Sequence, residues 1–351
     1  MSEVAHRDQW NSRLRQLPAA HILQTWEWGE FKRRTVGWQP TRLAFERDGI
    51  PVALASVGMR GIGPFKVLYV SKGPVLDYDN EPLFLEVLDA LESRARTMGA
   101  VWLKIDPDIV WATGIPGSED DTANELGQGI KSQLKDRGWR YSDAQVQFRN
   151  TIKFDLSQTD DEIWSAMSGN TRRKVRAAKK KGVTVRAAGD DDLAILYELY
   201  SITAARDSFL IRSFDYYKRA WQAFMRAGMA HALIAEYEGE PIAHVILFHF
   251  GRTCWYFYGA SADRERQRMP NYLLQWEAIK WAKAQGYAIY DMWGAPDVFD
   301  ESDGLWGVYQ FKRGFRGQVV RHIGAWDYAP RPWLYDAYAR LAPRLMDLLR
   351  N

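Results

Sequence analysis

A single cysteine, Cys254, excludes an internal disulfide and a cysteine-based metal site, and the six histidines show no HxxxH or HxH pairing, so no metal is expected. Long apolar runs are absent too. The longest, such as Val245–Phe250, fall far short of the roughly 20 residues that cross a bilayer, and the N-terminal MSEVAHRDQWNSRLRQ is polar where a signal peptide carries its apolar region. The expectation is a cytoplasmic protein without a transmembrane segment, any membrane contact being peripheral and at the inner face. A strong excess of one charge is also missing. With 47 Lys and Arg against 44 Asp and Glu, the net charge of +3 does not describe a dedicated nucleic-acid binder. No DNA partner is expected, and any basic contact must be local.

What the chain has is length and aromatic residues. Its 351 residues suit two domains, and 16 Trp and 17 Tyr join large apolar bodies to polar handles. Most of these belong in a core. From Trp255 to Ala260, Trp, Phe and Gly alternate with Tyr256, Tyr258 and Ala260, the period of a half-buried strand, which would present two phenols on one face. Asn271–Gln285 has apolar residues at helical spacing between Pro270 and Gly286, and Tyr287–Met292 alternates again. Strand, helix and parallel strand make a βαβ unit, which holds ligands at its strand C-termini. Beyond it, Lys312 and Arg313 sit among aromatic residues, where a cation could meet an anionic substrate.

Earlier in the chain, Thr25 caps a helix over Trp26–Thr35. Gln39–Arg47 and Ile50–Met59 form a hairpin across Asp48-Gly49. A strand at Lys66–Ser71, a helix over Glu81–Met98 closed by Gly99, and a strand at Val101–Asp106 follow. This order repeats. Glu46-Arg-Asp-Gly-Ile-Pro-Val-Ala53 matches Glu236-Tyr-Glu-Gly-Glu-Pro-Ile-Ala243 in type at an offset of 190, and Gly99 matches Gly286 at 187, so a duplicated domain is expected, although turns share such residues by chance. Pro107–Gly129 reads as a loop, Asn124–Arg137 as a helix and Gln147–Asp155 as a strand. Asn170–Gly182 is a helix with a dense basic face, either a phosphate contact through Arg172, Arg173 and Arg176 or a solvated surface. Asp191–Asp207 and Phe214–Ala227 read as two more helices, and the amphipathic tail Pro332–Leu349 as a helix docking on the first domain.

A duplicated hairpin-strand-helix-strand unit suggests the N-acetyltransferase (GNAT) superfold. There a glycine-rich turn before the central helix cradles the pyrophosphate of coenzyme A. In this chain the turn reads Arg266-Gln-Arg-Met-Pro-Asn271: Met269 and Asn271 fill the glycine positions and Pro270 removes an amide. Acyl-coenzyme A is therefore disfavoured, and another acyl carrier is implied.

The segments LQTWEWGEFK (23–32), KIDPD (104–108), RRKVRAAKKKGV (172–183), TAARDSF (203–209), YFYGAS (256–261), MPNYLLQWEAIKWA (269–282), YDMWG (290–294) and VYQFKRGFRG (308–317) together resemble the Fem (FemABX) aminoacyltransferases, over nearly the whole chain. The resemblance implies an α/β (α+β) fold of two tandem GNAT-like domains with mixed sheets and flanking helices. Domain 1 would span 1–148 plus 316–351 and bind the precursor; domain 2, 149–315, would hold the transfer site. It implies transfer of an amino acid from aminoacyl-tRNA, a co-substrate with no cofactor beside it, to an amine of a UDP-linked or lipid-linked muropeptide precursor in interpeptide bridge formation. Lys312 matches the family lysine at the transferring ester, which implies a catalytic role in oxyanion and leaving-group stabilisation; Asp106 matches an acidic residue at the acceptor, implied to orient or deprotonate the amine; Lys32 and Arg206 match the holders of precursor phosphates, and Tyr256 and Tyr258 acceptor-site phenols. Each also has a plain structural reading: a surface lysine, a strand-end turn, surface salt bridges, sheet support. The span 191–227 leaves no room for the long helical arm of some members, so this is the armless kind. Two other functions stay open: an acyl-coenzyme A N-acyltransferase, and a catalytically silent protein binding a nucleotide, lipid head group or muropeptide.

Overall fold

Short polar caps set where the helices begin. Thr25 accepts from the Trp28 amide at 3.3 Å, Asn80 from Leu83 at 3.2 Å, Asn124 from Gly127 at 3.1 Å and Ser168 from Thr171 at 3.1 Å. Thr159 and Glu162 cap each other's amides reciprocally. The computed structural model describes residues 1–63 and 65–348. It runs β1 (Ser2–Glu3), α1 (Arg7–Arg15), α2 (Trp26–Val36), β2 (Gln39–Arg47), β3 (Ile50–Ile62), β4 (Phe65–Val70), β5 (Val75–Leu76), α3 (Glu81–Thr97), β6 (Trp102–Ile105), β7 (Val110–Thr113), β8 (Thr122–Ala123), α4 (Glu125–Asp136) and β9 (Arg140–Tyr141). There follow β10 (Asn150–Asp155), α5 (Asp160–Ala166), α6 (Gly169–Lys180), β11 (Thr184–Ala187), α7 (Leu193–Arg206), α8 (Phe214–Arg226), β12 (Ala230–Tyr237), β13 (Glu240–Phe250), β14 (Thr253–Ser261) and α9 (Pro270–Ala284). The chain closes with β15 (Ile289–Asp291), α10 (Trp306–Lys312), β16 (Gln318–His322), β17 (Trp326–Tyr328) and α11 (Pro332–Leu348).

Two compact units result. The first joins Met1–Ala112, Thr122–Arg149 and the chain from Arg321 on; the second joins Thr113–Asp121 to Asn150–Val320. These limits differ from the expected 148/149 and 315/316. Thr113–Asp121 goes with the second unit because the Gly114 amide donates to the Val319 carbonyl at 2.9 Å. The expected loop at 107–129 also contains β7 and β8, the strand expected from Gln147 starts at Asn150, and α1 and α5 were not anticipated.

In the first unit the strand order is β1-β2-β3-β4-β6-β17-β9, with β5 against β3. β4 and β6 run parallel, joined by the α3 crossover, and Leu68, Phe84, Leu88, Leu103 and Trp326 share the core. α11 lies on this unit: Tyr335 donates to Asp327 at 2.9 Å and Arg140 pairs with Asp336 at 2.6 Å. Position 349, the expected end of that helix, lies outside the described residues. In the second unit the order runs β11-β12-β13-β14-β15-β10-β16. β14 and β15 are parallel across α9, over a core with Leu247, Leu273, Ile279, Tyr290 and Phe315.

The repeat extends to backbone detail. Both hairpins shift register two residues before the turn, between Phe45 and Glu46 in one and between Ala235 and Glu236 in the other. Both turns put two residues in the left-handed region, Asp48 (φ 52) and Gly49 (φ 79) against Glu238 (φ 52) and Gly239 (φ 80). A proline stands at the shift in both, Pro51 and Pro241, so the two hairpins share the residue that interrupts the ladder as well as the turn.

Candidate functional site

β14 carries the feature that arranges the second unit. Ile246 on β13 faces Tyr258 while the adjacent Leu247 faces Tyr256, so Phe257 is an extra residue bulged out of the ladder. Neighbours on a strand point to opposite faces, and so do their partners. The expected single face with two phenols is therefore corrected. Tyr258 turns toward the α7 and α8 side, its ring 5.8 Å from Tyr200 and 5.8 Å from Trp221, and supports the sheet. Tyr256 turns the other way and lines a cavity of about 700 Å³ with Arg206, Lys174, Tyr272, Asn271 and Phe311. Gly259 makes room for it: a Cβ there would lie 1.9 Å from the Tyr256 hydroxyl. Burial pushes the Tyr256 phenol up to about 12.

Lys312, the last residue of α10, is buried, not a surface lysine. Its Nζ donates to the carbonyls of Trp293 and, at 2.7 Å, Gly294, and stands 5.6 Å from the centre of the Tyr256 ring. Trp293 and Gly294 are successive left-handed residues, φ 51 and 59, and this aims both carbonyls at one point. An ammonium has three N–H donors, so one remains. Burial pulls the Lys312 pKa down to about 7, with the Asp291 carboxylate opposing. A cation poised near neutrality, with a donor to spare, suits a site where negative charge develops.

Arg206 donates to the Ser261 carbonyl at 3.0 Å and is bridged by Asp207 and Asp263, both at 3.0 Å. Any phosphate there must displace carboxylates. Arg172, Arg173 and Arg176 bond locally, to Ser165, to Asn170 and over the Trp164 ring, and line neither large cavity of this unit. Lys174, between them, lines both, its Nζ donating to the Tyr272 hydroxyl at 2.8 Å. Nothing in the sequence separates it from its basic neighbours; its place one turn after the buried Thr171 does. The second cavity, about 730 Å³, adds Arg313, Arg316 and the start of α6. Before α9, Met269 sits at φ 61, Pro270 has no amide, and the Tyr272 amide bonds the Met269 carbonyl at 3.2 Å. Little of a pyrophosphate cradle is left.

In the first unit, Lys32 and Tyr69 line a cavity of about 170 Å³ walled by Trp28, Trp38 and Trp102. The Lys32 ammonium lies 4.6 Å from the centre of the Trp28 ring. Asp106 stands behind this cavity, not in its wall. It accepts from the Tyr69 hydroxyl at 2.5 Å and from the Lys72 amide, and burial raises its carboxyl to about 6 against the pull of Lys72 and Tyr69. Tyr69, which no pattern in the sequence singles out, joins Asp106 to the cavity. Among the described residues no cluster of three or more His, Cys, Asp or Glu could hold a metal, and no helix is long and apolar enough to cross a membrane.

Comparison with known proteins matches this geometry to a family. Residues 7–238 and 225–342 match the model of the FemAB family. The lipid II:glycine glycyltransferase of Staphylococcus aureus (strain USA300) is 26% identical over 399 aligned positions, covering 93% of this chain and 92% of that protein. A crystal structure of FemX superposes with a TM-score of 0.84 at 23% identity, covering 96% of this chain and 99% of that one. A tandem GNAT protein from the clavulanic acid biosynthesis pathway gives 0.56 at 11% identity over 93% and 97% of the two chains, so two GNAT-like domains in series are the fold. With a family match over most of its length, on a scaffold of two GNAT-like units, the chain belongs to the FemAB family.

Proposed function

We propose that this chain moves an aminoacyl group from aminoacyl-tRNA to an amine on the stem peptide of a muropeptide precursor, extending an interpeptide bridge of peptidoglycan. The observation that carries the reading is Lys312, a buried cation on two backbone carbonyls with one N–H to spare, beside a cavity lined by Tyr256. The acceptor nitrogen adds to the ester carbonyl carbon and the electron pair moves to the carbonyl oxygen. As this oxyanion collapses, the bond to the ribose oxygen breaks and an amide forms. The amine loses one proton and the ribose oxygen gains one. The free N–H of Lys312 stabilises the oxyanion, and a pKa of about 7 lets the ammonium give a proton to the ribose oxygen and regain it from the amine. Asp106 acts through Tyr69 as a positioning residue, and Lys32 and Arg206 are the phosphate partners of the precursor. Lys174, Arg313 and Arg316 supply the positive charge that tRNA phosphates require. The staphylococcal relative is named for lipid II, which favours a lipid-linked over a UDP-linked acceptor. The reaction needs no cofactor and takes place on the cytoplasmic side, where charged tRNA is made.

The test supplies a pool of charged tRNAs with radiolabelled amino acids to the lipid-linked and, separately, the UDP-linked muramyl-pentapeptide, with RNase treatment and Lys312→Ala as controls. Label entering a muropeptide and lost with RNase is expected. Acetyl transfer from acetyl-coenzyme A in the absence of aminoacyl transfer would replace this reading.

A further inference from the structure

The α7–α8 connection, Asp207–Ser213, carries three apolar residues, two of them exposed. Leu210 is 95% exposed and Phe209 39%, and the half-buried Ile211 follows. Stray exposed leucines are common, but this tip is built. The Phe209 amide donates to the Ala204 carbonyl at 3.1 Å, Ser208 turns the chain at φ 57, and the Tyr197 hydroxyl donates to the Arg212 carbonyl at 3.0 Å. The Phe209 ring lies 5.7 Å from Tyr200, one wall of the aromatic cluster under α7 and α8. Both ends of the loop are thus tied down while Leu210 projects.

The cation nearest the tip in sequence, Arg212, is in no ion pair among the described residues. Asp207 and Asp215 are bound up with Arg206 and Arg219. Arg212 and Lys218 rest on the rings of Tyr216 and Phe214, at 4.9 and 5.8 Å, and Lys218 also acts on the Asp190 carboxylate. An apolar point followed two residues on by an arginine without an ion pair matches a surface that is apolar within and anionic at its face.

We propose that the loop 207–213 is a membrane-docking wedge: Leu210, flanked by Phe209 and Ile211, enters the interface of an anionic bilayer while Arg212 and Lys218 meet its head groups. The inference uses the proposed reaction only to explain why a membrane is useful, since a lipid-linked acceptor is anchored there. Its position in the fold supports that use, because the loop begins directly after Arg206.

The test is co-sedimentation of the full chain with phosphatidylcholine vesicles, with and without phosphatidylglycerol, at low and high salt. Binding is expected only with phosphatidylglycerol, weakened by salt, and reduced about tenfold or more by Leu210→Glu, the scale of losing one buried leucine. Arg212→Glu with Lys218→Glu should abolish it. Unchanged Tm for each variant shows that folding is intact. If Leu210→Glu binds like the parent, if neither binds, or if phosphatidylcholine alone suffices, the proposal is overturned. It also fails if the substitution only turns a dimer into a monomer on gel filtration. With the reaction established, the same variant should lose transfer to acceptor in vesicles and keep transfer to the UDP-linked acceptor. Failure of the parent chain to transfer to either acceptor would count against the reaction and leave the vesicle result standing.

Discussion

Replacing Lys312 with methionine keeps an unbranched stem and removes the cation, and its consequences separate into chemistry and stability. On the chemical side, deleting one donor to a developing oxyanion costs roughly 10²–10³ in kcat, or about 3–4 kcal/mol, and KM for either substrate should move little. On the stability side the sign follows from the lowered pKa. Between about 7 in the folded protein and 10.5, the ordinary lysine value, the unfolded chain binds the proton that the folded chain has released, so stability rises with pH across that window. It is lost again as pH falls toward 7. The drop from 10.5 to about 7 corresponds to about 5 kcal/mol between the two extremes. Lys312→Met removes this dependence but leaves the Trp293 and Gly294 carbonyls without their donor, at about 1–3 kcal/mol each. Parent and variant should therefore be of similar stability near pH 6, and the variant clearly weaker near pH 10. Urea unfolding at both pH values, beside single-turnover transfer of a labelled aminoacyl group, measures both halves. A variant that keeps more than about a tenth of kcat would refute the oxyanion role. Parallel stability curves from pH 7 to 10 would refute the buried, half-neutral lysine.

Three further outcomes are expected. Tyr256→Phe should slow transfer while Tyr258→Phe leaves it unchanged, because the bulge at Phe257 puts the two phenols on opposite faces; equal effects in kinetic assays would contradict that register. Gly259→Ala must displace the Tyr256 ring or the strand, lowering Tm by an amount equivalent to about 1–3 kcal/mol together with kcat, and calorimetry beside kinetics checks it. The Asp106 carboxyl is raised from 3.8 to about 6 by burial, so the folded chain binds the extra proton in that window and stability falls as pH rises through it, by about 3 kcal/mol in all. Asp106→Asn should flatten this slope in thermal melts from pH 4 to 6.5, and an unchanged slope would show that another group is responsible.

Much of this was legible in the residues. Cap residues and Asp-Gly or Glu-Gly turns are local chemistry, so α2, the first hairpin and the βαβ crossover through α9 lie close to where they were expected. Lys312 was legible as a cation among aromatic residues, and its place at the transferring ester only through family resemblance. Its burial depends on Trp293 and Gly294 coming back from a different strand end, which no spacing reveals. The bulge at Phe257 was not legible, because strict alternation and a one-residue interruption read alike until the partner strand is known. The same limit hid Tyr69, whose importance comes from the buried Asp106 behind it.

The duplication has a consequence for how the two halves came to differ. Tyr69 and Tyr256 are 187 positions apart, the offset that also relates Gly99 to Gly286, and each borders a cavity in its own unit. Behind one phenol stands a carboxyl, Asp106, and beside the other an ammonium, Lys312. A common ancestor with a tyrosine at this place could have been copied once, with each copy then free to acquire an ionisable neighbour of opposite sign while its twin kept the original in service. Swapping the two neighbours between the halves would then ask each pocket to undo a divergence, and Asp106→Lys and Lys312→Asp should not rescue one another.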